Sequence, residues 1–326
     1  MIVTVTAHPS IDRTVELAAP LHRGSVGRAR AIYEQAAGKG VNISRVAVAA
    51  GVPTLAVVLA DATSTFAQDV ASDDIPASAI GNLAVRVNLT LTEPDGTTTK
   101  VNSSSEEVST AQLDLLRDEV MRAARGASWV VLTGSLPPGA PTRWYADVAA
   151  QLASEAETQG VNVAIDTSDH ALRDVVATLG DCRPALLKPN AEELAGVTGE
   201  DPGSLEASPD RAAAAARRLV DAGAQAVLAT LGPAGAVLVT SQGAWRAAPP
   251  TVSVASTVGA GDSSLFGYLR AALEGLAPAP CLASAVAYGA AATTLPGTTL
   301  PISDQVHPEL VEVTALSGET PSPVGS

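Results

Sequence analysis

An α/β fold, with helices on both faces of a largely parallel central sheet and a second, smaller β-sheet, is what the 326-residue sequence predicts. Three observations predict it. From residue 110 onward, apolar strands alternate with helical stretches of ten or more residues, as in parallel strands joined by crossover helices. Residues 11–17 and 84–103 alternate polar and apolar side chains, the mark of strands with one wet face. The composition, 46% hydrophobic against 17% charged, suits one large domain with a sizeable core.

Taken in order, residues 1–7 read as a strand, followed by His8-Pro9-Ser10 and the alternating stretch Ile11–Leu17. Residues 25–36 are mixed, and Gly38-Lys39-Gly40 opens a helix that stops at Gly51. Residues 54–60 form a strand, and 61–82 are acidic and rich in Ala and Ser, with an amphipathic piece around Phe66. Ala84–Leu91 and Thr97–Ser103 flank Asp95-Gly96 as a β-hairpin. Helices are expected at 110–125, 141–158, 169–179 and 209–222, and strands at 128–133, 161–166, 184–188 and 225–231. A second hairpin spans Gly235–Val239 and Ala244–Ala247, a β-branched run ends at Thr257, and helices follow at 262–274 and 280–293. The whole reads as a single domain over 1–316 with strands at about 11–17, 25–36 and 84–103 forming the small sheet. A Ser/Pro/Gly-rich tail at 317–326 is expected to be disordered.

The net charge of -14 disfavours nucleic acid and anionic membrane as partners. It also means that an anionic substrate needs local cations. Lys39, Lys100 and Lys188 are the only lysines among 20 basic residues, and two of them fall in Gly- or Pro-marked motifs. Cys182 and Cys281 make neither a metal spacing nor a disulfide framework. No basic leader and no long apolar run is visible, so a cytoplasmic setting is the expectation.

Four motifs carry chemistry. In Thr257-Val258-Gly259-Ala260-Gly261-Asp262, a glycine turn opens a helix. Its free N–H groups and dipole make an anion site. Asp262 stands in that site as a plain cap or as a base for a hydroxyl attacking phosphorus. Gly38-Lys39-Gly40 is a second helix start suited to an anion. It is not a Walker A loop, because Tyr33 replaces the first glycine and Gly40 the Ser or Thr. In Lys188-Pro189-Asn190-Ala191-Glu192-Glu193 the amide and carboxylate, three apart, fit either a capping box or a water-held magnesium. Thr230-Leu231-Gly232-Pro233-Ala234-Gly235 closes a strand in a turn that suits a wall for ribose and phosphates.

These motifs, with Ala37–Asn42 and Gly134-Ser135-Leu136-Pro137-Pro138-Gly139, resemble in kind and order the landmarks of the ribokinase-like (PfkB) carbohydrate kinases over roughly residues 1–300. The branch most similar is the one acting on fructose 1-phosphate, with the tagatose 6-phosphate kinases as close kin. The resemblance implies a three-layer αβα ribokinase-like fold in which the small sheet is a lid over the sugar and often a dimer contact. It implies ATP and Mg²⁺ as cofactors and a sugar phosphate as substrate. Asp262 is then the catalytic base, with Gly259, Ala260 and Gly261 as its anion hole. Asp12, Gly38, Lys39, Asn42 and Arg86 hold the sugar phosphate, and Lys188, Asn190, Glu193, Thr230, Gly232 and Gly235 hold the nucleotide, with Glu193 reaching magnesium through water. Two departures stand out: Ala60-Asp61-Ala62-Thr63 where relatives often carry Gly-Gly, and Ser103-Ser104-Ser105 where a Pro-Gly is common. Tyr288 and Gly289 are expected in the core. The alternatives are 6-phosphofructokinase or tagatose-6-phosphate kinase activity, and a sugar-phosphate sensor without catalysis. A dinucleotide-binding reading fails because Ser264 stands where a third glycine is needed.

Overall fold

The computed structural model describes residues 1–316, those at 155–159 by backbone alone, so the tail at 317–326 lies outside the described residues. The chain runs β1 (Ile2–Thr6), β2 (Ser10–Leu17), β3 (Ala29–Ala37), α1 (Lys39–Ala49), β4 (Thr54–Ala60), α2 (Thr65–Ser72), β5 (Ala77–Gly81), β6 (Arg86–Thr92) and β7 (Thr98–Asn102). It continues α3 (Thr110–Ala124), β8 (Trp129–Thr133), α4 (Trp144–Gln159), β9 (Asn162–Asp166), α5 (Asp169–Ala177), α6 (Leu179–Cys182), β10 (Leu186–Leu187), α7 (Ala191–Thr198), α8 (Pro202–Ala207) and α9 (Pro209–Asp221). The remaining elements are β11 (Ala226–Thr230), β12 (Ala236–Thr240), β13 (Gly243–Ala247), α10 (Ala260–Leu273), α11 (Pro278–Thr293) and β14 (Val313–Ala315).

Ten strands form the central sheet in the order β14-β13-β12-β11-β10-β9-β8-β1-β4-β5. Strands β5 to β11 in that order run parallel, and β12 to β14 are antiparallel additions at one edge. The chain first extends the sheet from β1 toward β5, then reverses and builds from β8 outward. Open α/β sheets bind ligands at such a reversal, beyond the carboxyl ends of the strands. Alternation along β1 divides the core: Val3 and Val5 pack with α3, α4, α5, α7 and α9, while Ile2 packs with α1, α10 and α11. The small sheet, ordered β3-β2-β6-β7, sits apart from the large one and pairs β2 with β6 in parallel.

The structure departs from the sequence reading in particular places. Strand β10 is only Leu186–Leu187, shorter than 184–188. Ala77–Gly81, within the stretch read as Ala/Ser-rich, is an edge strand, formed because β4 supplies a parallel partner. The β-branched run before the glycine turn is not a strand. Pro249 and Pro250 lack N–H donors, and the N–H groups of Ala255 and Ser256 both donate to the Thr293 carbonyl at the end of α11. The run is therefore strapped to a helix end. The 169–179 helix breaks at Thr178 into α5 and α6.

With so few aromatic residues, α10 and α11 make a close helix pair from small side chains. A Cβ on Gly267 would lie 2.5 Å from the Ser284 carbonyl oxygen, and the Ser284 hydroxyl donates back to the Gly267 carbonyl at 2.8 Å. Gly267→Ala gains roughly 1 kcal/mol of helix propensity, yet overpacking against backbone costs about 1–3 kcal/mol. Urea unfolding of Gly267→Ala is expected to show a net loss of up to about 2 kcal/mol; raised stability would contradict this packing.

Candidate active site

The site forms where β1, β8, β9, β10 and β11 end. Helix α10 begins there: its cap, Gly259, takes a left-handed φ of 76° that a side chain would strain, and no side chain caps it. Ala260 N–H reaches the Thr257 carbonyl at 3.4 Å and Ser263 N–H the Gly259 carbonyl at 2.9 Å. The N–H groups of Gly261 and Asp262 find no protein acceptor among the described residues. Asp262 is buried in this first turn and accepts a hydrogen bond from Asn42 Nδ2 at 2.8 Å.

Two lysines reach the same place from opposite sides. Lys39 opens α1 and donates to Asp166 Oδ1 at 2.9 Å. Lys188, buried after β10, lies 3.2 Å from Asp166 Oδ2. A Cβ on Gly261 would stand 3.6 Å from Lys188 Nζ, so the ammonium faces the glycine turn. Helix α1 is seated equally closely, since a Cβ on Gly40 would lie 2.4 Å from Thr6 Oγ1.

Charge follows from this crowding. Burial drives Asp262 up to about 6, the Asp166 carboxylate adds to the rise, and Lys39, Asn42 and Lys188 oppose it. Burial also works against Asp166, but the two lysines outweigh it and hold that carboxyl below its ordinary value. For Lys39 burial lowers the pKa, yet the attraction of Asp166, Asp262 and Glu193 raises it overall. Glu193 is raised by burial.

Asn190 and Glu193 form a full capping box at the start of α7, each side chain accepting from the other's N–H at 2.8 Å. Thr230 lies beside this cap, its N–H donating to the Pro189 carbonyl at 3.0 Å and its backbone bridging Asn190. Gly232 and Gly235 bracket the short turn that follows. On the small sheet, the parallel register of β2 and β6 sets Ser10 across from Arg86 and Asp12 across from Asn88, on one face by the two-residue period. Asp12 Oδ1 accepts from Ser10 Oγ and Asn88 Nδ2, each at 3.0 Å. Burial lowers the Arg86 pKa, against the pull of Asp12.

Three parts of this site escaped the sequence reading. Asp166 ends an apolar strand, an acid where only topology reveals two lysines. Asn88 is legible only once β6 is paired with β2. His8, in the link from β1 to β2, bonds Ser135 at 3.0 Å through Nδ1 and Ser105 at 2.6 Å through Nε2. Burial and then Arg86 depress its pKa to about 4, so it is neutral near pH 7. The serine run also has a use: Val87 N–H donates to Ser103 Oγ, which donates to the Val87 carbonyl. Lys100 lies exposed on β7, and Tyr288 is core, buried edge-on against Phe266 at 5.1 Å. A cavity of about 580 Å³ around Arg270 and Glu274 opens at the far end of α10 and shares no residue with the site.

A helix start with free N–H groups, a buried carboxylate beside it and two lysines converging on Asp166 suit a small-molecule phosphotransferase of the three-layer α/β type. The profile of the pfkB family carbohydrate kinases matches residues 6–305, and the chain belongs to that family. It is 34% identical to the 1-phosphofructokinase of Rhodobacter capsulatus over 89% of this chain and 90% of that one. To the 1-phosphofructokinase of Haloferax volcanii it is 31% identical, covering 96% and 99%. The crystal structure of Escherichia coli phosphofructokinase-2 with substrates and products superposes with a TM-score of 0.81 at 29% identity, covering 93% of this chain and 96% of that one.

The raised pKa of Asp262 has a consequence for folding. A carboxyl that binds its proton more tightly folded than unfolded makes stability fall as pH rises, here between its ordinary 3.8 and about 6. Asp262→Asn removes that penalty. The ligand-free variant is expected to exceed the parent by about 2–3 kcal/mol at pH 8 and by almost nothing at pH 4. Denaturant titrations at the two pH values check this, and equal stability at pH 8 would refute the buried charge.

Proposed function

We propose that the protein transfers the γ-phosphoryl group of ATP to the 6-hydroxyl of D-fructose 1-phosphate, giving fructose 1,6-bisphosphate and ADP. The observation that carries this reading is the meeting of Asp262, at an uncapped helix start, with two of the chain's three lysines around buried Asp166. The named activity of relatives more than 30% identical over most of the chain supports the choice of substrate.

In this reading the sugar 6-oxygen bonds to the γ-phosphorus, the bond from that phosphorus to the ADP oxygen breaks, and the hydroxyl proton passes to Asp262. A base near 6 is mostly ionised at neutral pH yet still basic enough to take the proton. The N–H groups of residues 259–262 hold charge on the moving phosphoryl group, and Lys188 faces the same turn. Lys39 and Arg86 hold the phosphate already on the sugar. Asp12, Asn42 and the Gly38 backbone hold its hydroxyls. Asn190, Thr230, Gly232 and Gly235 line the nucleotide's path.

Among the described residues no three His, Cys, Asp or Glu side chains gather to hold a metal ion. Mg²⁺ keeps several waters and takes one or two carboxylates plus substrate phosphates, and Glu193 at the start of α7 would be the protein's contribution. When bound, the ion neutralises charge on the nucleotide phosphates.

A second substrate reading has its own support. Escherichia coli phosphofructokinase-2, solved with fructose-6-phosphate, superposes with a TM-score of 0.78 at 28% identity, covering 90% of this chain and 93% of that one. Fructose 6-phosphate and tagatose 6-phosphate are therefore the alternatives to test; a sensor without catalysis needs none of Asp262, Lys188 and Glu193. A homodimer through the lid is supported by exposed Ile32 and Tyr33 on edge strand β3 and Val101 on edge strand β7. Among the described residues no helix is long and apolar enough to cross a membrane, and a cytoplasmic setting suits a reaction that consumes ATP.

ADP release measured with Mg-ATP and each ketose phosphate is expected to give the highest kcat/KM with fructose 1-phosphate. Lys39→Met and Arg86→Met should raise the KM for the sugar phosphate at least tenfold, since each removes roughly 1.5–3 kcal/mol of charge-assisted contact, and leave the KM for ATP nearly unchanged. Asp262→Asn should lower kcat by about 10²–10⁴; near-parental turnover would remove Asp262 as the base. Sedimentation should show a dimer that Ile32→Asp weakens, and a monomer at micromolar concentration would remove the lid interface.

A further inference from the structure

Asn42 serves the base only if its amide points the right way, and one residue decides that. Arg45, one turn further along α1, donates from NH1 to Asn42 Oδ1 at 3.2 Å. Its Nε donates to Asp73 Oδ2 at 2.8 Å, and its NH2 to the Ala36 carbonyl at 2.8 Å. The side chain is only 14% exposed. A guanidinium has donors and no acceptor, so the atom of Asn42 that faces Arg45 is the oxygen. The amide's NH2 is left facing Asp262, where Nδ2 lies 2.8 Å from Oδ2. The orientation follows from partner chemistry and not from a choice between similar atoms.

We propose that Arg45 is a positioning residue for phosphoryl transfer, which fixes the Asn42 amide so that it presents a hydrogen-bond donor to the carboxylate of Asp262, a role that rests on reading Asp262 as the base. Arg45 touches neither Asp262 nor a ligand-holding lysine. It is locked from the far side by Asp73 at the end of α2 and by the Ala36 carbonyl near the end of β3, where the Ala36 N–H is held in turn by the Asp69 carboxylate. The base thus takes its orientation from a fork spanning three elements. Without the fork, the amide is free to turn its oxygen toward a carboxylate, which replaces a donor with a repelling acceptor. A lysine at this position keeps the charge but has no planar fork to serve three acceptors together.

The electrostatic frame around Asp262 stays in place under such a change. Lys39 from α1, Asp166 from the end of β9 and Lys188 after β10 face it, and Glu193 from α7 acts on Lys39. What changes is the hydrogen bond from Asn42, which favours the ionised form of the base.

The test is the pH profile of kcat at saturating substrates for the parent, Arg45→Lys and Asp73→Asn, with thermal unfolding of each and Asp262→Asn alongside. Titration of the sugar phosphate is common to all and cancels in the comparison. The acid limb is expected to move to higher pH by about one unit in Arg45→Lys, as for the loss of one hydrogen bond to a charged group. In Asp73→Asn, which loosens the same guanidinium from the surface end and spares the core, it moves by a smaller amount. Limbs at the parental pH in the folded variants, whatever happens to kcat or Tm, would make Arg45 structural only and overturn the inference. Parental turnover in Asp262→Asn would instead overturn the base assignment itself, and the two failures are told apart by that variant.

Discussion

Asp166 is the charge on which the site depends. Its side chain is fully buried at the end of β9, and it pairs with Lys39 from the start of α1 and with Lys188 after β10. Two ammonium groups cannot converge in a low-dielectric pocket without a counter-charge, and a buried carboxylate cannot remain ionised without cations. Removing one member of such a set costs about 3–5 kcal/mol where both partners are buried, which describes Lys188 better than the half-open Lys39. With Asp262 included, the cluster holds two positive and two negative groups. An acidic chain has in this way assembled local cations without leaving an uncompensated charge in its core.

The same burial that stabilises the cluster as a set works against Asp262 as an individual. Its neighbour Asp166 repels it, and its nearest polar partner is an amide with no charge. A carboxylate raised in this way is a stored cost and also a better base. Asp262 stands in the first turn of α10, a helix that packs closely on α11 at Gly267, where a Cβ would meet the Ser284 carbonyl.

Much of this was legible because local chemistry announces it. Asp262 and Lys39 follow glycines and Lys188 precedes a proline, all at element boundaries where the backbone pattern is distinctive. The Asn190–Glu193 capping box was legible for the same reason, and the structure contains it in full. Asp166 was not legible, because its meaning lies in β9 standing between β8 and β10, which is topology and not pattern. His8, Ser105 and Ser135 are separated along the chain by 97 and 127 positions; no window sees them together. Strand β5 was missed because Ala77-Ser78-Ala79 carries little strand preference, and β4 confers what the residues lack. The strapped segment before the glycine turn shows the converse, β-branched residues without a sheet partner.

The small sheet and Asp262 are joined by chain continuity as well as by hydrogen bonds. Strand β3 runs through Gly38 directly into Lys39 and α1, and three positions along that helix stands Asn42. The Ala36 carbonyl at the end of β3 accepts from Arg45, the residue that faces Asn42. At the other root of the small sheet, His8 links the β1–β2 passage to Ser105, past the end of β7, and to Ser135 after β8. Both roots are thus tied to core elements, so the position of the small sheet and the orientation of the Asn42 amide beside Asp262 are set through the same few bonded groups. In the proposed reading, a sugar phosphate that engages Asp12 and Arg86 on the small sheet and Lys39 on α1 loads both sides of one joint, and binding energy on the non-reacting phosphate acts where orientation of the hydroxyl toward Asp262 is decided.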